Sequence, residues 1–383
     1  MRRYRRALLI ISVFLALYGG LLPGLWANRY TRVALTTAFM MPDLFVDLPL
    51  SPLKLTTSEP VKEEVTFSWG SQQAVADLYR PQDGGPARGG VVVAIGAAPR
   101  ARTDPRVVRL AEGSARAGMV VMIPELKHLL QDEMVPEEID ELVSAFEYLR
   151  EQPFVDGERM GFVGFSVGAG LAMVAATDPR ISADVDFLSS FGGYYDLGDV
   201  ISAATTETIT YNGQREAWHP DIKTVRVLQR SFIYYADTPR DRDILTRIFL
   251  EDDASARGEV GELSPQSRPL FDLLDNDDPD RAQELLARLA PQDRATLRRL
   301  SPSTSIGSLR TELFILHDRN DKLIPYVESR RLAEAARGRD KVHYAELDIF
   351  RHVDPTVPAN PLTFLADLIE LFFQAYRLLL RVV

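Results

Sequence analysis

The stretch Arg159-Met-Gly-Phe-Val-Gly-Phe-Ser-Val-Gly-Ala-Gly170 constrains this chain more than any other. Met160 to Phe165 is apolar and short, as a buried parallel strand is. Leu171 to Ala176 is good helix material. Between them, Gly164 and Gly168 stand two residues either side of Ser166, the spacing of a nucleophile elbow. The pattern predicts a strand, a sharp turn at Ser166 and a helix from near Ala169. Side chains at positions 164 and 168 are expected to collide with the serine backbone. Ser166 is expected to be strained, with its hydroxyl raised above the sheet edge. The free N–H groups of the helix start would point at any anion forming beside it. The alternative is a plain glycine-rich turn, and the residues around the motif must decide between the two.

Strand and helix patterns alternate on both sides of the motif. Val61 to Trp69, the turn Gly70-Ser71 and Ala74 to Tyr79 read as a β-hairpin. Val91 to Ile95 is a buried strand running into Gly96-Ala-Ala-Pro99, and Met119 to Pro124 is another. Helices are predicted over Asp104 to Gly118 and over Glu137 to Glu151, the second amphipathic. After the motif, Val185 to Phe191, Thr311 to His317 and Val342 to Ile349 read as strands, with a helix over Tyr326 to Gly338. Such alternation implies an α/β fold, a mostly parallel sheet covered on both faces.

From Asp196 to about Leu300 the rhythm breaks. This stretch has little strand signal and several helical pieces, including Asp241 to Leu250 and Asp280 to Leu289. Because the sheet pattern resumes afterwards, it reads as a helical cap inserted into the sheet domain rather than a second, independent domain. The C-terminal segment Pro361 to Val383 is a long apolar helix. Its polar residues Asp367, Glu370, Gln374, Arg377 and Arg381 fall on one narrow stripe, so the rest of its surface is expected to be buried, against the sheet or partly in lipid.

At the N-terminus, Arg2, Arg3, Arg5 and Arg6 precede Ala7 to Trp26, which carries no charge. That segment is long enough to span the ~30 Å core of a bilayer as a helix. The arginine bias places the N-terminus in the cytoplasm and the rest outside it. A cleaved signal peptide followed by secretion is the alternative, although no clear cleavage site follows. Val33 to Leu50 is apolar with only Asp43 and Asp47 charged, so it either lies at the membrane surface or packs on the main domain as a linker helix. The expected organisation is therefore 1–28 anchor, 29–60 linker, 61–195 first part of the core, 196–302 cap and 303–383 second part of the core.

A serine hydroxyl needs a base to take its proton, and the base needs an acid to orient it. The chain of 383 residues has no cysteine and 5 histidines, which excludes thiol chemistry, thiolate metal sites and disulfides. His352 falls in a loop just past the last strand, at the sheet edge where Ser166 emerges. His343 and His317 lie in or at the end of strands and read as structural, while His128 and His219 remain candidates for lining a pocket. For the acid, Asp321 follows a buried strand and precedes Pro325, with Asp318 as its rival. The net charge of −10 offers no basic face for nucleic acid. No cofactor or metal site is legible, and Asp275 to Asp280 reads as a solvated acidic turn.

Ser166, Asp321 and His352 occur in the chain order of an α/β-hydrolase. From about Val61 onwards the chain resembles serine α/β-hydrolases of the dienelactone hydrolase and acyl-esterase type. The resemblance is carried by Val91 to Pro99, Gly164-Phe-Ser-Val-Gly168, Asn320 to Pro325 and His352. It implies Ser166 as nucleophile, His352 as base, Asp321 as acid, and the backbone N–H groups of Val167 and Ala97 as the oxyanion hole. Joined to the N-terminal segment, which supplies the expected anchor and suggests a lipid-like substrate, it gives a membrane-anchored serine ester hydrolase (carboxylesterase-like) acting on a small-molecule or lipid-like ester. Three departures stand out. Ile95-Gly96 replaces a frequent His-Gly, Asp318 replaces a frequent glycine, and a serine stands where dienelactone hydrolases proper use cysteine. A peptidase or acyltransferase of the same fold, and a non-catalytic binding module, are the competing readings.

Overall fold

Side-chain alternation along the strands decides which layer each residue joins. In the computed structural model, which describes residues 28–45, 51–83, 85–339, 341–356 and 360–383, eight strands form one sheet. They are β1 (Val61–Trp69), β2 (Gln72–Arg80), β3 (Arg88–Ala94), β4 (Val120–Pro124), β5 (Val155–Phe165), β6 (Val185–Phe191), β7 (Glu312–Asp318) and β8 (Val342–Leu347). Their spatial order is β1-β2-β4-β3-β5-β6-β7-β8. The pairs β1–β2 and β2–β4 are antiparallel, and every pair from β4 to β8 is parallel. The expected α/β architecture is the one observed, and this mixed sheet with helices on both faces fits the α/β-hydrolase fold.

Six helices cover the sheet: α1 (Arg29–Phe45), α2 (Pro105–Arg116), α3 (Glu137–Arg150), α4 (Val167–Ala175), α5 (Val327–Ala335) and α6 (Pro361–Val382). Val92 and Ala94 of β3 pack with residues of α3, α4 and α5. Their neighbours Val91 and Val93 face α1, α2 and α6. The start of α2 shows why these sequences form helices where they do. Asp104 accepts from the N–H of Arg106, and Pro105 occupies the first helical position, where its missing N–H costs nothing.

The expected anchor, Ala7 to Trp26, lies outside the described residues, and among these no helix is long and apolar enough to cross a membrane. The apolar stretch after it forms α1, with Val33 and Met40 buried in the layer shared with α2 and α6. Arg29 Nη2 donates to the carbonyl of Leu380 at 2.6 Å, tying the start of α1 to the end of α6.

Between β6 and β7 the chain forms helices over Leu197–Thr206, Ile222–Tyr234, Pro239–Phe249 and Pro291–Leu300, with shorter helical turns between them. Leu197, Val227 and Leu300 join the same apolar cluster as Leu171 of α4 and Ile315 of β7, so the insertion shares the core of the sheet domain. It also holds a small hairpin, Thr208–Tyr211 with Gln214–Ala217, that the expected all-helical reading lacks. Asn212-Gly213 forms its turn with both φ angles positive, the conformation asparagine and glycine tolerate best.

Helix α6 buries Leu371, Leu379 and Val382 as expected and exposes Arg377, but the rest of its polar stripe departs from the solvent-facing placement. Of the polar stripe, Gln374 is buried, Asp367 Oδ2 accepts from the N–H of Asp348, and Arg381 pairs with Glu312. Leu362, Leu365, Ile369 and Phe373 instead face outward. The polar groups turn inward because loop N–H groups and strand carboxylates there need partners, a demand the helix's own periodicity does not reveal.

Glu138, in the first turn of α3, is buried. Its Oε1 accepts from the N–H groups of His128 (2.7 Å) and Leu129 (3.2 Å), while Oε2 has no hydrogen-bond partner among the described residues. Burial, only partly offset by those two N–H groups, pushes its pKa from 4.5 to about 8. Between these values the unfolded chain gives up a proton that the folded chain keeps. Stability therefore falls as pH rises, by up to about 1.4 kcal/mol per pH unit from this group. Glu138→Gln keeps the accepting oxygen and removes the titration. The variant is expected to melt at the temperature of the wild type near pH 4 and several degrees higher at pH 8, as thermal unfolding across that range would read.

Candidate active site

Strands β3, β5, β6, β7 and β8 run parallel, so their C-terminal ends meet at one rim of the sheet. Ser166, Asp321 and His352 all lie there. Ser166 immediately follows β5 and caps α4, with φ 55° and ψ −136°. That backbone is strained for any residue with a side chain, by about 1–3 kcal/mol. Helix α4 begins at Val167, two residues before the predicted start. The Val167 N–H therefore belongs to the first helical turn, where no intrahelical acceptor reaches it.

Close backbone approaches hold the turn. A Cβ on Gly164 would sit 2.3 Å from Ala169 Cα, and one on Gly168 would sit 2.5 Å from the carbonyl oxygen of Ala94. The two motif glycines thus admit the helix and the neighbouring strand, rather than clearing the serine backbone as predicted. The residue that clears the serine is Gly96, whose added Cβ would lie 2.7 Å from Ser166 Cβ and 3.1 Å from its Oγ. Its immediate neighbour Ala97, the expected second oxyanion donor, lines the same cavity as Ser166 and Val167.

Asp321 lies three residues past β7 and is buried with four donors around its carboxylate. Oδ1 accepts from the N–H of Leu323 at 2.7 Å and of Ile324 at 3.0 Å. Oδ2 lies 2.6 Å from His352 Nδ1 and 3.1 Å from His317 Nε2. Burial alone would raise the pKa of this carboxyl. The charge of His352 and the bonds from both imidazoles outweigh it and hold the group well below the usual carboxylate range. Asp321 is therefore an anion throughout the working range of pH.

His352 sits at the tip of a two-strand turn, Phe350–Arg351 against Asp354–Pro355, with a left-handed φ of 60°. Asp318 sets that turn. Its Oδ2 accepts from the N–H of Phe350 at 3.0 Å, and its Oδ1 accepts from the N–H of Asn320 at 2.6 Å. Burial, partly offset by these two N–H groups, raises its pKa to about 6. The rival acid thus supports the loop that carries His352, and Asp321 is the carboxylate that meets the ring. Across the rim, Gly192 takes φ 61° and leaves room for the imidazole, since a Cβ there would lie 3.1 Å from Nδ1.

The other ring nitrogen, His352 Nε2, is buried without a hydrogen-bond partner among the described residues. It lines a cavity of about 650 Å³ together with Ser166, Gly96 and Ala97. Ser166 and His352 are not hydrogen-bonded in this structure; bonds of this kind often tighten only when substrate binds. Cap residues Leu197, Val200, Val227 and Leu228 supply apolar walls, and Lys223 adds a cation.

The cap also grips the acid loop, which nothing in the sequence pattern announced. Trp218 Nε1 donates to the carbonyl of Asp321 at 2.8 Å. The N–H of Asp221 donates to Lys322 O at 2.7 Å, and Thr224 Oγ1 donates to Leu323 O at 2.8 Å. His317 was assigned a structural place, and it is wholly buried. Its Nδ1 lies 2.6 Å from Ser329 Oγ, while its Nε2 reaches Ile324 O as well as Asp321. The remaining histidines stand elsewhere. His343 pairs with Glu312, His128 with Glu133, and the exposed His219 with Glu207; none of them lines the cavity. Asp275 and Asp280 pair with Arg257 and Arg215. Among the described residues no group of three or more His, Asp or Glu side chains is placed to hold a metal ion.

No family model and no curated protein matches the chain. Among solved structures it is similar to the acylaminoacyl peptidase of Pyrococcus horikoshii, at 13% identity over 78% of this chain and 38% of that one, with a TM-score of 0.47. It is also similar to a 2,6-dihydroxy-pseudo-oxynicotine hydrolase, at 12% identity over 84% of this chain and 68% of that one (TM-score 0.49). A third is a dienelactone hydrolase from Anabaena variabilis, at 15% identity over 82% of this chain and 98% of that one (TM-score 0.42). The chain spans about two fifths of the length of the acylaminoacyl peptidase. At these identities neither substrate nor mechanism transfers.

Gly96→Ala tests the approach that bears on the serine side chain itself. The methyl group must displace Ser166, and a misplacement of about 1 Å is enough to cost on the order of 100-fold in reactivity. The expected result is a folded protein whose Ser166 reacts with a fluorophosphonate about 100-fold more slowly than in the wild type, measured as a labelling rate.

Proposed function

We propose that the protein is a serine hydrolase that cleaves carboxylic esters through an acyl-enzyme on Ser166. The observation that carries this reading is the meeting at one rim of a strained, helix-capping serine and a buried imidazole held by an anionic carboxylate. A carboxylate buried with four donors, bonded to an imidazole whose other nitrogen faces a cavity shared with a serine, is arranged for proton transfer.

In this mechanism Ser166 Oγ attacks the acyl carbonyl and His352 Nε2 takes the hydroxyl proton. The N–H groups of Val167 and Ala97 hold the negative oxygen of the tetrahedral intermediate, each worth roughly 3–4 kcal/mol. Collapse expels the alcohol, which receives the proton from His352. Water, deprotonated by the same nitrogen, then attacks the acyl-enzyme and releases the acid. Asp321 stays ionised and fixes the imidazole tautomer. The apolar side of the cavity, with Leu197, Val200, Val227 and Leu228, supports an ester with an apolar acyl group as the substrate.

We infer also that Ala7 to Trp26 anchors the protein in a membrane, with the catalytic part on the extracytoplasmic side. The uncharged run behind four arginines supports this, and the outward apolar side chains of α6 fit a site close to a lipid surface. Cell fractionation tests it. The full chain is expected to sediment with membranes and resist carbonate extraction, and the chain lacking residues 1–28 is expected to be released.

The enzyme reading is tested by fluorophosphonate labelling of the full chain in detergent, followed by turnover of short acyl esters. Ser166→Ala is expected to abolish labelling. Asp321→Asn is expected to retain the fold while turnover drops on the order of 10⁴-fold, because the imidazole loses its orienting anion. Failure of the folded wild type to label would support the binding-module reading instead.

A further inference from the structure

A second cavity lies behind the first. It measures about 130 Å³ and sits between the sheet and the layer formed by α1, α2 and α6. Its walls are almost wholly apolar, with Met40, Ala111, Val121, Phe314 and Ala375 among them. Five side chains, Val107, Leu110, Phe165, Phe191 and Leu371, line both this chamber and the cavity that holds Ser166 and His352. A single layer of side chains therefore separates the two spaces. Phe165, one of the five, is the residue immediately before Ser166.

We propose that the chamber receives the distal part of the substrate's acyl chain, so that the site selects medium-chain fatty acyl esters over acetyl esters. This rests on the acyl-enzyme reading of Ser166 and adds the substrate class. The chamber has no charged lining residue, which excludes an ionic occupant on desolvation grounds. An apolar void of comparable size, about 150 Å³, stays dry and takes a benzene ring. By that measure the chamber holds about five chain carbons. The partition lies beside the nucleophile, so a chain attached to Ser166 through its carbonyl reaches the partition first and the chamber after it. Phe165, Phe191 and Leu371 move aside by rotamer changes, without breaking backbone hydrogen bonds. An isolated cap pocket would make no such link between the serine and the sheet's opposite layer.

The experiment measures kcat/KM for p-nitrophenyl esters from acetate to dodecanoate with the full chain in detergent below micelle-forming substrate concentrations. It includes Ala111→Leu and Ala375→Leu, which add carbons to the chamber from two different helices and touch neither Ser166 nor His352. Each methylene that enters an apolar site adds about fourfold. The wild type is expected to rise at least 30-fold from acetate to octanoate or decanoate. Each filled variant is expected to lose at least 10-fold on the longer ester and stay within twofold on acetate. A wild-type profile that is flat or falls with chain length overturns the proposal, and that result needs no variant. A rising profile that neither variant alters also overturns it, because it makes the chamber a packing void. Fluorophosphonate labelling separates this failure from that of the enzyme reading. A serine that labels with a flat chain-length profile removes only the chamber, whereas an unlabelled serine removes the reading on which it rests.

Discussion

A carboxylate cannot be buried as an anion unless donors surround it, and the site is arranged around the donors of Asp321. Two come from its own loop, the N–H groups of Leu323 and Ile324, and two from imidazoles. Supplying them brings together the end of β7, the turn after β8 and His317 from inside β7. The loop N–H groups and His317 also keep the acid in place whichever protonation state His352 adopts. Removing any one donor would leave lone pairs unsatisfied in a space water does not reach, at a cost of about 1–3 kcal/mol. The orientation of His352 is thus a property of the packed core as much as of the loop that bears it.

The strand–helix alternation was legible because parallel strands buried on both faces show as short apolar runs. The eight strands of the sheet fall where such runs and the Val61 hairpin put them, with ends shifted by a few residues. That Ser166, Asp321 and His352 come to one rim was legible for the same reason, since each follows a strand end and parallel strands bring those ends together. Other features were hidden for physical reasons. The Thr208–Ala217 hairpin lies on the surface, so half of it shows no buried alternation, and only Asn212-Gly213 marks it. Asp318 and Asp321 look alike in sequence; their roles separate only when the N–H of Phe350 and the ring of His352 take their places in space. Gly96 gave no sign that it, rather than Gly164 or Gly168, makes room for the serine side chain.

Helix α6 shows where periodicity misleads. A narrow polar stripe on an apolar helix normally marks the solvent side. Here Asp367 meets the N–H of Asp348 past the C-terminal end of β8, and Arg381 meets the carboxylates of Glu312 and Asp186 at the opposite ends of their strands, while Arg377 stays exposed. These partners lie on strands and loops far away in sequence. The helix therefore buries Leu371, Leu379 and Val382 together with part of its polar stripe, and leaves Leu362, Leu365, Ile369 and Phe373 outside.

The grip of the cap on the acid loop has a mechanical consequence. Hydrogen bonds from Trp218, Asp221 and Thr224 join this edge of the cap to the backbone at Asp321, Lys322 and Leu323. Any breathing motion that lifts this edge of the cap must pull on the segment that aims the imidazole. Widening the doorway there and keeping His352 aligned with Asp321 are opposed demands. In the hydrolase proposed above, traffic through the cavity leaves the imidazole aimed only if this margin stays shut and the chain yields elsewhere, so the cap behaves less as a lid than as a clamp.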